Sequence, residues 1–347
     1  MRTVGPAARA TVALGRWLPW LLMTAVVAAA SSAARAQDRP RPEAASQVRT
    51  PLQWVQAIQQ AAARVNYSGT VVYQAGGDMR SSRITHVYDG KRSQERIQTL
   101  DGKPREYLRT RTDNNDEVHC LIPESRRIVI EHRAVEDPFP GLIGAPAADI
   151  LKLYQVEAVG IERVAGIECQ VLTFAPRDAL RYGYQLCVEP ASGLLLKSQM
   201  VNDRFEVLEQ VAFTDVRIGE RIDRARLKPA WSTEGWSVER SDHRRVDLAK
   251  AGWVVPAPVG FKRTKEIARR MGTRDAMQVV FSDGLATVSV FIEPGAELKP
   301  LTEGVQMMGP TAAYSRRVGD ALVTVVGEVP PAAVRGVAGS VEFNGPR

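Results

Sequence analysis

Beyond its first 36 residues the sequence has no apolar run long enough to cross a bilayer. It is poor in aromatics (6%), in histidine (4) and in cysteine (3). It also lacks G-x-S-x-G, G-x-x-x-x-G-K-S/T, G-x-G-x-x-G, H-E-x-x-H and C-x-x-C. A hydrolase elbow, a phosphate-binding loop, a dinucleotide fingerprint, a zinc-protease helix and a redox pair are therefore all without support. The four histidines, His86, His119, His132 and His243, sit on separate segments. His119 and Cys120 are adjacent, and neighbouring strand residues point to opposite faces, so they do not share one ion. The sequence thus implies no metal and no cofactor. Asp113, Asp116 and Glu117 cluster in RTDNNDEVH, which reads as a solvated turn and not as an acid-base pair. Without a constellation the chain reads as a non-enzyme, a hydrolase with scattered groups being the rival.

What is present begins with an export signal. Arg2, Arg9 and Arg16 precede an apolar run from Trp17 to Ala34, and Ala34-Arg35-Ala36 supplies a small-x-small cleavage pattern before Gln37. Removing residues 1–36, with four arginines and no acids, lowers the formal net charge from +7 to +3. That balance calls for no nucleic acid. The expected compartment is a Gram-negative periplasm, and the remaining roughly 310 residues suggest two domains.

In that oxidising setting the odd cysteine count leaves one thiol unpaired. Cys169 and Cys187 lie on consecutive strands around PRDALR. A turn centred near Asp178 sets them opposite each other for a disulfide, leaving Cys120 free, whereas a two-residue slip separates them.

Residues 37–50 read as a mobile leader. PLQWVQAIQQAAARV then carries Leu52, Val55, Ile58, Ala62 and Val65 near a 3.6 period behind Pro51, an amphipathic helix flanked by Trp54. From Asn66 the period changes to two, with turns at Gly76-Gly77-Asp78, Asp101-Gly102 and Glu124-Ser125. An apolar interruption with a short helix near Ala147–Tyr154 precedes further strands up to Arg217. This order predicts an α+β, mainly antiparallel fold: an open sheet of nine or ten strands with helices in its concave face. Charged text at 222–245 marks a linker between a large domain (51–221) and a small α+β domain (246–340). The small domain's strand segments near Met277, Thr287, Ala312 and Leu322 are followed by a helix entered through Pro331.

Two surfaces stand out. In YGYQLCVEP, Tyr182, Tyr184, Leu186 and Val188 share one face, fit for a core or for a greasy groove. Face assignment makes Trp54, Tyr73, Tyr184, Leu186 and Phe213 the groove candidates. In FKRTKEIARRMGTR, six cations (Lys262, Arg263, Lys265, Arg269, Arg270, Arg274) meet only Glu266, which reads as either a solvated loop or an anion site.

Five passages in order resemble the MucB/RseB family: LQWVQAIQQAAARVNYSGTVVYQ, YGYQLCVEPASGLLLKSQM, PVGF at 258–261, FSDGLATVSVFIEP at 281–294 and VTVVGEVPPAAV at 323–334. The resemblance implies a large domain similar to the carriers LolA and LppX, an unclosed β-barrel with helices in its mouth, plus a small carboxy-terminal domain. It also implies a role: binding the periplasmic segment of a membrane-bound anti-sigma factor, shielding it from site-1 proteolysis, and letting go when lipopolysaccharide or another lipid-like signal binds. Within SDGLATVSVF it makes Ser282, Asp283, Gly284 and Phe291 partner-contact candidates. A periplasmic lipid or lipoprotein carrier is the alternative, and self-association is left open.

Overall fold

Thr50 starts the ordered chain by closing a capping box: its hydroxyl accepts from Gln53 N (3.3 Å), while the Gln53 side chain accepts from Thr50 N (2.8 Å). The computed structural model describes residues 49–132, 139–240, 244–271, 274–295 and 304–345. The expected export signal, nearly all of the leader and His243 lie outside the described residues. Helix α1 (Pro51–Arg64) buries Trp54, Val55, Ile58 and Ala61 and leaves Leu52 38% exposed. Leu52 stands roughly 160° round the helix from Trp54, outside the stripe that meets the sheet.

Among the described residues twelve strands make one sheet. They are β1 (Tyr67–Ala75), β2 (Asp78–Tyr88), β3 (Ser93–Thr99), β4 (Glu106–Arg111), β5 (Asp116–Ile122), β6 (Arg127–His132), β7 (Tyr154–Val164), β8 (Ile167–Pro176), β9 (Gly183–Val188), β10 (Leu195–Val201), β11 (Val207–Ile218) and β12 (Ser237–Arg240). Their spatial order is β12-β6-β5-β4-β3-β2-β1-β11-β10-β9-β8-β7. All neighbours run antiparallel except β12, which lies parallel to β6. The two end strands are unpaired with each other, so the barrel is unclosed. It is nonetheless strongly curled: Val164 of β7 packs in one cluster with Tyr67, Ile84 and Phe213 of β1, β2 and β11.

The concavity is occupied. α1 and α2 (Ala147–Leu153) press Trp54, Val55, Ile58, Ala147 and Ile150 onto Tyr154, Leu172, Phe174, Tyr184 and Leu186. Leu186 and Val188 of the face 182–188 are thus packed core under the helices, with Tyr182 and Tyr184 buried in the same cluster. Twelve strands replace the expected nine or ten, partly because β12 arises inside the charged segment read as a linker. All four of its residues are exposed, so no apolar alternation marks it. The chain leading to it crosses the outer face of the sheet as a strap. Glu106, with no side-chain exposure, accepts from Arg96 and from Ala230 N (3.0 Å), and Arg96 also donates to Arg226 O (3.1 Å).

The second sheet has β13 (Arg244–Arg245), β15 (Lys262–Met271), β16 (Arg274–Ser282), β17 (Thr287–Pro294), β18 (Gln306–Met308), β19 (Thr311–Val318) and β20 (Ala321–Gly327), in the order β13-β15-β16-β17-β20-β19-β18. Strand β14 (Trp253–Val254) pairs instead with β21 (Glu342–Phe343). Helix α3 (Pro331–Gly339) covers this sheet, joining Val334 and Val337 to Val288, Val290, Val323 and Val325. The basic stretch is therefore a strand and not a loop. Its sequence hides this because, among the described side chains of β15, only Ile267 is buried, and the strand is held by its ladder to β16.

Cys169 and Cys187 are disulfide-bonded with Cα atoms 5.4 Å apart, and Cys120 is free. In the ladder Cys187 stands opposite Val171, so the bond runs diagonally across the β8–β9 pair. Replacing both bonded cysteines by alanine lowers folding stability by about 3 kcal/mol, since the bond closes a loop of 18 residues; chemical denaturation under non-reducing conditions measures it.

His86 is buried, stacks on Tyr67 at 4.9 Å, and donates from Nδ1 to Val65 O (2.9 Å). Burial holds its imidazole below the ordinary 6.5, and Arg111 and Arg109 act in the same direction. Above about pH 6.5 it is neutral in both folded and unfolded chains and adds no pH dependence. Below that, the unfolded chain takes up the proton first, so stability falls by up to about 1.4 kcal/mol per pH unit. His86→Gln is expected to flatten that slope in denaturation curves between pH 6.5 and 5.

Candidate functional site at the seam between the sheets

The loop joining β8 to β9 carries an arginine into the boundary of the two sheets. Asp178 shapes the loop by accepting from Leu180 N (2.9 Å) and from Arg181 Nε (3.0 Å). The Arg181 side chain has no exposure, and its Nη1 donates to Asp283 Oδ2 (2.7 Å) in the turn between β16 and β17. Its Nη2 donates to Val259 O (2.8 Å), and its guanidinium lies 4.8 Å from the Phe261 ring centroid. Asp283 is equally enclosed. Oδ2 also accepts from Tyr154 O–H (3.0 Å), while Oδ1 accepts from Leu285 N (2.8 Å) and Ala286 N (2.7 Å). Burial, with the Asp283 carboxylate beside it, pushes the Tyr154 phenol well above its ordinary 10. A buried ion pair is tolerable only when its remaining groups are satisfied, and here they are.

Main-chain contacts tighten the same seam. Gly144 N donates to Gly284 O (2.8 Å). Gly284 has φ +101°, and a Cβ there would stand 2.2 Å from Ala145 Cβ. At Gly260, φ +79°, a Cβ would stand 2.6 Å from Leu153 and 2.9 Å from Arg181 Nη2. Only glycine meets both demands at these two positions.

Beside the seam opens a cavity of about 710 Å³, walled by Phe174, Tyr182, Tyr184, Val201 and Leu208 from the large sheet and by Pro330 and Pro331 at the entry to α3. Arg181 forms part of the wall. Phe205 stands at the rim of this cavity, 69% exposed and with φ +60°. Its turn is fixed by Asn202, whose Oδ1 accepts from Arg204 N and Glu206 N, both at 2.9 Å. A bulky side chain in the left-handed region costs on the order of 1–3 kcal/mol. Among the described residues no group of three His, Cys, Asp or Glu side chains is placed to hold a metal ion.

The residues singled out from the sequence are dispersed around this geometry. Tyr184 lines the cavity, and its hydroxyl lies 3.5 Å from Leu285 O. Trp54, Leu186 and Phe213 are core residues with 7%, 0% and 2% exposure. Tyr73 is half-buried and donates to Glu209 (2.9 Å); burial pushes both groups up in pKa. Asp283 and Gly284 form the seam. Ser282 shapes the same turn, donating to Ala286 O (3.0 Å) and accepting from Gly284 N (3.0 Å), and Phe291 is half-buried on β17. The six cations do not converge. Lys262 pairs with Asp149 of α2 (2.8 Å), Arg263 with Glu266 (2.5 Å), and Arg269 donates to Gln278 (3.2 Å). Burial pulls the Lys265 ammonium pKa down, Arg270 is exposed, and Arg274 begins β16. Sequence reasoning missed Arg181, Tyr154 and Phe205. The one available signal was Asp178 three residues before Arg181, an acid and a base set to pair across a turn.

The MucB/RseB N-terminal domain family matches residues 50–231, and the MucB/RseB C-terminal domain family matches residues 247–342. The sigma factor AlgU regulatory protein MucB of Pseudomonas aeruginosa is 29% identical over 297 residues, covering 83% of this chain and 89% of that protein. The sigma-E factor regulatory protein RseB of Escherichia coli K12 is 23% identical over 300 residues, covering 83% and 89%. Among solved structures, MucB in complex with MucA(peri) is 27% identical and superposes with a TM-score of 0.66 over 85% of this chain and 99% of that one. The MucA/MucB complex of Pseudomonas aeruginosa gives 0.68 at the same identity and coverage.

Asp283→Ala leaves Arg181 charged, buried and without its carboxylate on the small sheet. The expected loss is about 3–5 kcal/mol in urea denaturation. Limited proteolysis should show the segment 246–261, which carries the Val259 and Phe261 contacts, becoming cleavable first.

Proposed function

The chain belongs to the MucB/RseB family, and on that premise we propose that it is a periplasmic regulatory binding protein with no catalytic role. In this reading it grips the periplasmic segment of a transmembrane anti-sigma factor, shields that segment from site-1 proteolysis, and so restrains the envelope-stress sigma factor. A lipid-like signal, lipopolysaccharide being the candidate, then favours the released form. The observation that carries the reading is the pair of family matches, in order, over 50–231 and 247–342, in a chain whose relative of 27% identity has been solved with MucA(peri) bound. Export by residues 1–36, with cleavage before Gln37, belongs to the same reading. So does the division into a large domain, a connecting segment over 222–245 and a small domain.

Release by a lipid is a linkage: the ligand weakens the partner only to the extent that it binds the partner-free form more tightly. A periplasmic lipid carrier is the second reading, and the apolar seam cavity favours it. A carrier, however, has no need of a second sheet latched to the first by a buried ion pair.

The mature chain from Gln37 onward, mixed with the periplasmic fragment of the anti-sigma factor from the same cell, is expected to form a complex in size-exclusion chromatography. It should slow site-1 cleavage of that fragment at least tenfold, and added lipopolysaccharide should restore cleavage. Absence of a complex both with and without lipopolysaccharide would leave the regulator reading without support.

A further inference from the structure

We propose that Met79, Met307 and Met308 form a methionine-oxidation site, converted to sulfoxides by a peroxide-class oxidant, whose oxidation loosens the contact between the two sheets at Ala75 and Gly309. Among the described methionine side chains these three are 67%, 48% and 80% exposed. Met200, by contrast, is 2% exposed, and Met277 is half-buried against the core of the small sheet. Thioether oxidation follows exposure, so the fold sorts these sulfurs into a reactive set and a shielded set.

The topology explains the exposure. Strand β18 ends the small sheet and pairs with β19 alone, setting Met307 opposite Ala312 and Met308 opposite Thr311. Successive strand residues point to opposite faces, so this edge presents one thioether on each face. Ala312 belongs to the core under α3, but Met307, one strand farther out, stays open to solvent. Gly309 follows with φ +59°, and a Cβ there would stand 3.6 Å from Ala75 Cβ. The turn after β18 thus lies against the end of β1. Met79 belongs to the same hairpin, on β2 opposite Gln74.

In the reaction a sulfur lone pair takes one oxygen of hydrogen peroxide: an S–O bond forms and the O–O bond breaks. The proton on the transferred oxygen passes to the departing hydroxide, which leaves as water. Sulfur is oxidised by two electrons and the peroxide is reduced by two. A flexible apolar side chain becomes a polar one whose new oxygen demands hydrogen bonds, and water follows it into the contact between turn and hairpin. Cys120 is the competing sulfur. It is half-buried, and burial pushes its thiol pKa up, which keeps it protonated and slow. Neither a lipid nor the anti-sigma segment enters this scheme, so it stands apart from the regulator reading.

The test treats the folded mature chain with excess hydrogen peroxide, stops the reaction with catalase at intervals, and follows each sulfur by peptide mass spectrometry. Met79, Met307 and Met308 are expected to gain oxygen first, with Met200 and Met277 at least about tenfold slower because they react only through local opening. Hydrogen exchange of the segments 74–79 and 306–311 should then run at least about threefold faster than in untreated chain. The methionine sulfoxide reductases MsrA and MsrB should reverse both changes. A chain carrying Met79→Leu, Met307→Leu and Met308→Leu, its fold checked by circular dichroism, should show no such acceleration after peroxide. Reversal by the reductases makes the same distinction without any substitution. Oxidation of Met200, Met277 or Cys120 as fast as the three exposed methionines overturns the site. Unchanged exchange once all three are sulfoxides, or equal acceleration in the leucine chain, overturns the loosening of the contact.

Discussion

A single fully enclosed ion pair, Arg181 with Asp283, fixes how the two sheets meet. It is stable because nothing in it is left wanting: the carboxylate takes four donors and the guanidinium has three acceptors and an aromatic ring. The surrounding glycines convert that electrostatic contact into a shape contact, since Gly260 and Gly284 admit Leu153 and Ala145 where any side chain would collide. Charge and close approach thus specify the same arrangement. Each alone would be a weaker determinant, because a buried pair adds little net stability and a steric fit without charge tolerates sliding.

The large sheet solves a different problem. Its end strands β7 and β12 are unpaired with each other, yet the sheet curls enough for Val164 to reach Tyr67 and Phe213. α1 and α2 pack into the trough, burying Leu172, Leu186 and Leu195 of β8, β9 and β10. One cavity, of about 710 Å³, lies at the seam, beside the latch. Its walls are the large sheet and, from the small domain, Pro330 and Pro331 at the entry to α3.

Much of the fold could be read from the residues alone. Pro51 and the apolar spacing behind it gave α1, the Gly-Gly-Asp and Asp-Gly turns gave the hairpins, and the ordered family resemblance gave the unclosed architecture with its second sheet. The failures have physical causes. β12 and β15 carry almost no buried side chains, so their strand character resides in main-chain pairing that leaves no mark in hydropathy. The facing pattern of Leu186 and Phe213 was right as periodicity, but alternation cannot say whether an apolar face meets a helix or a ligand. The seam was the least legible part. Arg181 and Asp283 are 102 residues apart, and a charged residue in a loop reads as solvated until its partner is known. Asp283, a partner-contact candidate by family resemblance, holds an ion pair within the chain that no local pattern announces.

Strand β12 ends at Arg240 and β13 begins at Arg244, so only three residues join a strand of the first sheet to a strand of the second. Such a bridge spans roughly 14 Å at full stretch. The small sheet consequently has almost no slack. Short of stripping β12 from β6, β13 cannot move farther than that bridge from the edge of the large sheet.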